Sequence, residues 1–395
     1  MSCSYRFDPT RRGLLLGAAG GLALAGTNSR AAFSTTPSEK KLIAVILHGG
    51  MDGLNVVVPA YSDDYYAARA TIAIPPAGEP NGVINLTDGF GMHPSMPGFA
   101  HFYLKGQMVI MHATSAPYDQ RSHFDGQDVL ENGTDQPLGE NTGWLNRALG
   151  VAPALPSALG IGSTVTLVLK GQNNIATWAE PKLTEASADT IAKTLALYGS
   201  DPVLQAALQG SIDIGNVIGD LNNLGTGFEF DARAAGKIMS ADGGPGACAL
   251  TYGGWDTHAN QGGSSGQLAN NLANLDRAMV ALREELGDKW KDTVVVIATE
   301  FGRTFAENGT GGTDHGIGGV SFLLGGGVKG RRFIGDWPGI ATNQLNLGRE
   351  LYPANDLRAL LKGMFRDHWG ISKSDLDNIV FPNSADVPAM TNLFR

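Results

Sequence analysis

Five short polar groupings carry the side chains that could do chemistry in this chain. They are His48 and Asp52 in HGGMDG, Arg121 and Ser122 in RSHFDG, Asp256 and His258 in GGWDTH, Glu300 and Arg303 in TEFGRT, and His315 in GGTDHG. Carboxylates and imidazoles are the oxygen and nitrogen ligands that zinc, manganese and similar divalent ions favour. A hydroxyl beside such an ion can lose its proton and attack as a nucleophile. Asp52, Asp256, His258, Glu300 and His315 are therefore candidate metal ligands, Ser122 a candidate nucleophile, and Arg121 and Arg303 candidate charge stabilisers. Four of these have a plainer alternative. Asp52 precedes a glycine and could be a turn residue. Ser122, with Asp125 three residues on, fits a helix capping box. Asp256 and His258 could be a buried hydrogen-bonded pair. Only convergence decides between these readings.

The elements that must position these groups are legible as apolar runs. Leu42–Leu47, Gln107–His112, Ala247–Tyr252 and Val294–Ala298 read as core strands, and each delivers one polar grouping past its carboxyl end. His315 lies just before a fifth run, Val320–Leu324. In open α/β sheets ligands bind outside the carboxyl ends of the strands. Leu268, Leu272, Leu275, Met279, Leu282 and Leu286 recur at helical spacing and predict a helix packed on the sheet. Further helices are expected over Asp63–Ala70, Met96–Tyr103 and Asp356–Trp369, and a further strand over Thr164–Leu169. The stretch from about 185 to 240 is helix-rich and reads as an insertion or cap over the sheet. No internal repeat or composition shift marks a second domain.

The chain has 395 residues, 43% of them hydrophobic and 17% charged, which suits one large α/β domain over residues 42–395. Cys3 and Cys248 are the only cysteines, so no disulfide framework is expected. Arg11 and Arg12 precede the apolar run Gly13–Ala25, which is shorter than the roughly 20 residues of a membrane span. With Ser29-Arg30-Ala31 as a cleavage site, residues 1–31 read as a twin-arginine signal peptide. A periplasmic or secreted protein with no stable membrane anchor is expected. Removing that segment takes away four of 29 basic and one of 38 acidic residues, leaving 25 against 37, or −12. With that charge and no basic block, nucleic-acid binding is not expected.

The motifs LHGGMDGLNVVVP, RSHFDGQDVLENG, GGWDTH, TEFGRT and GGTDHGIGG, together with the export signal, resemble a large family of exported bacterial proteins known as domain of unknown function 1501. That family is in turn similar to the alkaline phosphatase and sulfatase superfamily. The resemblance implies an alkaline-phosphatase-like α/β fold, with a mostly parallel sheet sandwiched between helices. It implies one or two divalent metals, zinc or manganese, at the strand ends, and hydrolysis of a small anionic phosphate or sulfate ester. Ser122 resembles the nucleophile at a helix start, Asp52 the carboxylate after the first strand. Asp256, His258 and His315 resemble the ligands of one metal. Glu300-Phe301-Gly302 departs from the superfamily's Asp-His-Gly, and Phe301 can bind no metal. A non-catalytic cell-envelope binding or assembly protein of the same fold is the alternative.

Overall fold

The computed structural model describes residues 39–395 apart from residues 155, 163, 174, 181–185 and 220–223. The expected signal peptide lies outside the described residues. Among them are twelve strands: β1 (Lys41–His48), β2 (Val57–Val58), β3 (Ile84–Asn85), β4 (Gly91–Met92), β5 (Met108–Ser115), β6 (Ala158–Ile161), β7 (Ile175–Trp178), β8 (Ala247–Gly253), β9 (Thr293–Thr299), β10 (Gly319–Leu324), β11 (Arg332–Phe333) and β12 (Asn355–Asp356). Helices of eight or more residues are α1 (Pro97–Leu104), α2 (His123–Asn132), α3 (Trp144–Val151), α4 (Ala188–Leu197), α5 (Pro202–Ile218), α6 (Gly227–Ser240), α7 (Gln267–Leu286) and α8 (Leu357–Trp369).

Nine strands form one sheet in the order β11-β5-β10-β9-β1-β8-β6-β7, with β12 also paired to β5. β1 lies at its centre, parallel to β8 on one side and β9 on the other. Only β10 runs against its neighbours β9 and β5. Its reversal follows from the connection: no helix crosses back between β9 and β10, so the chain re-enters the sheet at the edge where it left. That brings the loop bearing His315 to the carboxyl ends of β1, β8 and β9.

Alternation along the strands sorts the core into two layers. Ile43, Val45, Leu47, Val295 and Ile297 face Phe99 and Phe102 of α1, Phe228, Phe230 and Ile238 of α6, and the leucine stripe of α7. Leu42, Ala44, Ile46, Val294 and Val296 face Leu145 of α3 and Leu357, Leu360, Leu361 and Phe365 of α8. The mostly parallel sheet between helices is the fold class expected from the sequence. The helix-rich stretch contains α4, α5 and α6, and α6 contributes to a core layer rather than capping it from outside. The strand expected over Thr164–Leu169 is absent: Leu167–Leu169 is a short 3-10 turn, because the Val168 amide donates to Glu131 Oε2 (2.9 Å) instead of to a neighbouring strand. Among the described residues, no helix is long and apolar enough to cross a membrane.

Candidate metal centre

The loops at the carboxyl edge are drawn together by Arg303, whose side chain is fully buried. Its Nε donates to Gly50 O (2.6 Å), Nη1 to Thr313 O (3.2 Å), and Nη2 to Gly49 O, to Trp255 O (3.1 Å) and to Asp256 Oδ1 (2.6 Å). One guanidinium thus ties together the loops after β1 and β8 and the loop before β10. Gly49 permits the closeness: its φ is +127°, and a Cβ there would lie 2.6 Å from the Asp256 amide nitrogen.

Three imidazoles surround Asp256. His258 Nε2 is 3.0 Å from Asp256 Oδ1, His315 Nε2 is 3.2 Å from it, and His123 Nε2 is 3.4 Å from it. His258 Nε2 and His315 Nε2 are 2.9 Å apart. The outer nitrogen of each ring meets a group that can only accept: His123 Nδ1 meets Glu300 Oε1 (2.7 Å), His258 Nδ1 meets Asp314 Oδ1 (3.2 Å), and His315 Nδ1 meets the Arg121 carbonyl (2.8 Å). Each Nδ1 therefore carries a hydrogen, and in the neutral ring each Nε2 presents a lone pair to the centre. His123 Nε2 is buried and makes no hydrogen bond. Three converging lone pairs and a carboxylate repel one another unless a cation or a shared proton lies among them, and outer acceptors on ligand histidines are the usual second layer of a metal site. The ligand atoms of His123, Asp256 and His315 all lie within 4.8 Å of one another, as a shared ion requires.

The same contacts shift the titration of these groups. Burial opposes ionisation of Asp256, but Arg303, His258 and His315 overcome it and hold its pKa at about 2. Glu300 is likewise held low, the hydrogen bonds from His123, Gln127 and Thr299 outweighing its burial. His123 is raised by its bond to Glu300, and His315 is lowered chiefly by burial.

Not every candidate from the sequence joins the centre. Asp52 is 1% exposed, and its carboxylate is filled by Arg69 Nη1 (2.6 Å) and Nη2 (3.0 Å) and by Gln261 Nε2 (2.7 Å), so no oxygen is open to a metal. Glu300 is not a direct ligand either. Its Oε1 accepts from Gly49 N (2.8 Å), His123 and Gln127, and its Oε2 from Thr299. It stands behind His123 and orients that ring. Arg303 spends its donors on backbone carbonyls and Asp256, so it positions a ligand rather than facing a substrate. Arg121 has a left-handed φ of 59° and is paired with Glu350. Ser122 sits at the N-cap of α2, but its side chain makes no capping bond, and Asp125 accepts instead from the Tyr118 hydroxyl (3.2 Å). The capping-box reading fails. Ser122 lies between Arg121, whose carbonyl holds His315, and His123.

Sequence reasoning misses His123 as a candidate ligand, although an imidazole in the first turn of a helix starting at this edge was a usable signal. It also misses the dyad of His48 and Glu131. His48 Nε2 meets Glu131 Oε1 at 3.1 Å, and Glu131, 5% exposed, is anchored by the Val168 amide. Burial disfavours charge on His48, but Glu131 outweighs it and raises the pKa.

A family model described as "Protein of unknown function (DUF1501)" matches residues 39–379. No curated protein matches the sequence. Among solved structures, the chain is similar to Ps i-CgsB in complex with k-i-k-neocarrahexaose, at 11% identity over 89% of this chain and 77% of that one, with a TM-score of 0.40. It is similar to the C-terminal periplasmic domain of EptC from Escherichia coli in complex with Zn, at 10% identity over 91% of each chain and a TM-score of 0.38. It is also similar to a TAB5 alkaline phosphatase variant with Mg bound, at 12% identity over 75% of this chain and 92% of that one, with a TM-score of 0.34.

Proposed function

The chain belongs to the DUF1501 family of proteins of unknown function, and from that premise we propose that it is a divalent-metal-dependent hydrolase of phosphate or sulfate esters. The observation that carries the reading is the convergence of three imidazoles on Asp256, with every outer nitrogen held and His123 Nε2 buried without a hydrogen bond. His123, Asp256, His258 and His315 would hold one zinc or manganese ion, which when bound would polarise the ester oxygens and favour ionisation of a nearby hydroxyl.

The chain's own residues supply the rest. Ser122 provides the attacking oxygen, and its side chain is free of the capping bond that would otherwise engage it. The first-turn amides of α2 offer donors to negative charge developing beside it. His48 is tethered through Nε2 to Glu131, which leaves Nδ1 to move a proton at the oxygen of the leaving group. Phe301, 1% exposed, stacks on His123 at 4.8 Å between ring centroids and packs on His315 at 5.1 Å, closing the back of the centre to water. The competing reading, a non-catalytic cell-envelope binding or assembly protein, draws on the same Phe301, which stands where the superfamily has a ligand.

Metal analysis of protein purified without added metal, together with hydrolysis of an aryl phosphate and an aryl sulfate, tests the proposal. Stoichiometric metal and turnover are expected. His315→Ala and His123→Ala should lose both while remaining folded. Ser122→Ala should keep the metal and lose turnover by roughly a thousandfold or more. Metal retained in His315→Ala refutes the ligand set, and unchanged turnover in Ser122→Ala refutes the nucleophile. A protein that binds metal and cleaves neither ester favours the binder. The reading includes export to the periplasm or beyond by the twin-arginine route, supported by Arg11-Arg12 before a weak apolar run. Replacing both arginines with lysine should trap the precursor in the cytoplasm, and normal export of that variant would refute the route.

A further inference from the structure

Two arginines converge on one buried carboxylate beside the candidate centre. Glu350 is fully buried. Arg121 donates to it through Nε (3.1 Å) and Nη2, Arg349 through Nη1, and Asn346 Nδ2 donates to its Oε1 at 3.0 Å. Both arginines also touch His315, one at each end. The Arg121 carbonyl accepts from its imidazole, and Arg349 Nη1 donates to its backbone carbonyl at 2.7 Å.

Glu350 is shared between two guanidinium groups, Asp119 lies near Arg121 and Asp314 near Arg349, so what the pair offers a solute is unused donors, in a chain whose net charge is −9. A guanidinium has five N–H donors. Among the described residues, protein acceptors are met by Nε and Nη2 of Arg121 and by Nη1 of Arg349. The two side chains are 26% and 41% exposed, so donors remain within reach of a solute. Arg121 holds its place at a left-handed φ of 59°, a conformation that a residue with a side chain rarely adopts. The next residue is Ser122.

We propose that Arg121 and Arg349, held in register by Glu350, form the subsite that recognises the tetrahedral oxyanion of the substrate, phosphate or sulfate. Arg349, 227 residues beyond Ser122 in the chain, donates to the oxyanion, and Glu350 keeps the two guanidinium groups together. The choice of oxyanion rests on the hydrolase reading, but the subsite is tested by binding, without turnover.

Calorimetric titration of the metal-loaded protein with inorganic phosphate, and separately with sulfate, is the measurement. The parent should bind at least one of the two. Arg349→Gln should weaken that binding about tenfold or more, the loss of one charge-assisted contact, with metal content and thermal stability unchanged. Arg121→Gln, if it folds, should weaken it likewise. A parent that binds neither anion overturns the subsite, as does an Arg349→Gln protein that binds as the parent does. Anion binding that depends on Arg349 in a protein that cleaves no ester overturns the hydrolase reading and leaves the subsite standing. Ester cleavage with anion affinity indifferent to Arg349 overturns the subsite alone.

Discussion

At the scale of single residues, what separates a ligand from a structural carboxylate is the set of donors already around it. Asp52 and Asp256 both follow core strands and both lie near an arginine, yet only Asp256 keeps an exposed face. Asp52 is enclosed with Arg69, and Arg69 also donates to Phe305 O, Thr304 O and Asn55 Oδ1. Removing one partner of a buried pair strands the other charge. Asp52→Ala is therefore expected to cost about 3–5 kcal/mol in urea unfolding while the folded protein still binds stoichiometric metal. Glu300 should behave in the opposite way. Glu300→Gln keeps the volume but removes the negative acceptor that aligns His123. Metal affinity should fall about 10–100-fold, measured by competition with a chromogenic chelator. An unchanged affinity would mean that His123 needs no outer partner.

At the scale of elements, the centre depends on how closely the loop after β1 approaches the loop after β8. Gly49 sits at that contact, at a φ that disfavours a side chain and with no room for one. Gly49→Ala should cost about 1–3 kcal/mol of stability and also weaken metal binding, because the displaced backbone carries Asp256. A variant that loses stability but binds metal as tightly as the parent would show that the two loops move together. The reversed strand β10 belongs to this scale too. Its apolar run was legible as a strand, but its direction was not, since periodicity along a strand carries no sign. The sign comes from the loop of residues 300–318, which returns to the sheet without a crossover helix.

At the scale of the whole molecule, three histidines outside the centre make stability fall in mild acid. His93 donates to Gly263 O (3.1 Å), His112 to Val57 O (2.9 Å) and His368 to Lys41 O (2.9 Å). Each is buried, and burial lowers each pKa to about 4 from an ordinary value of 6.5. Between those values the unfolded chain takes up protons that the folded chain refuses, so stability falls as pH falls below 6.5 and stops falling on this account near pH 4. The slope per histidine approaches roughly 1.4 kcal/mol per pH unit, or about 4 for the three together, and Asp231, whose pKa burial raises to about 6, offsets about one histidine's share between about pH 6 and pH 4. Urea unfolding at several pH values in excess chelator, which removes any contribution from metal release, should show it. A stability flat between about pH 6 and pH 4.5 would refute the burial of these rings as neutral groups.

The sequence by itself determined β1, β5, β8, β9 and β10, their apolar faces, the leucine stripe of α7 and the edge at which polar groups gather. These are written in local periodicity, where burial of each side chain follows from its spacing. It also named Asp52, Asp256, His258, Glu300 and His315 as candidates alike, because few other polar residues directly follow or precede the core runs. Only the tertiary structure decided which neighbour each polar group meets. Asp52 meets an arginine 17 residues on, Glu300 an imidazole 177 residues before it, and Arg121 a carboxylate 229 residues after it. Hydrogen-bond and ionic partners are chosen by proximity in space at the loops, where no periodicity constrains the chain. A residue's type therefore states what it can bind, and the fold states what it has already bound.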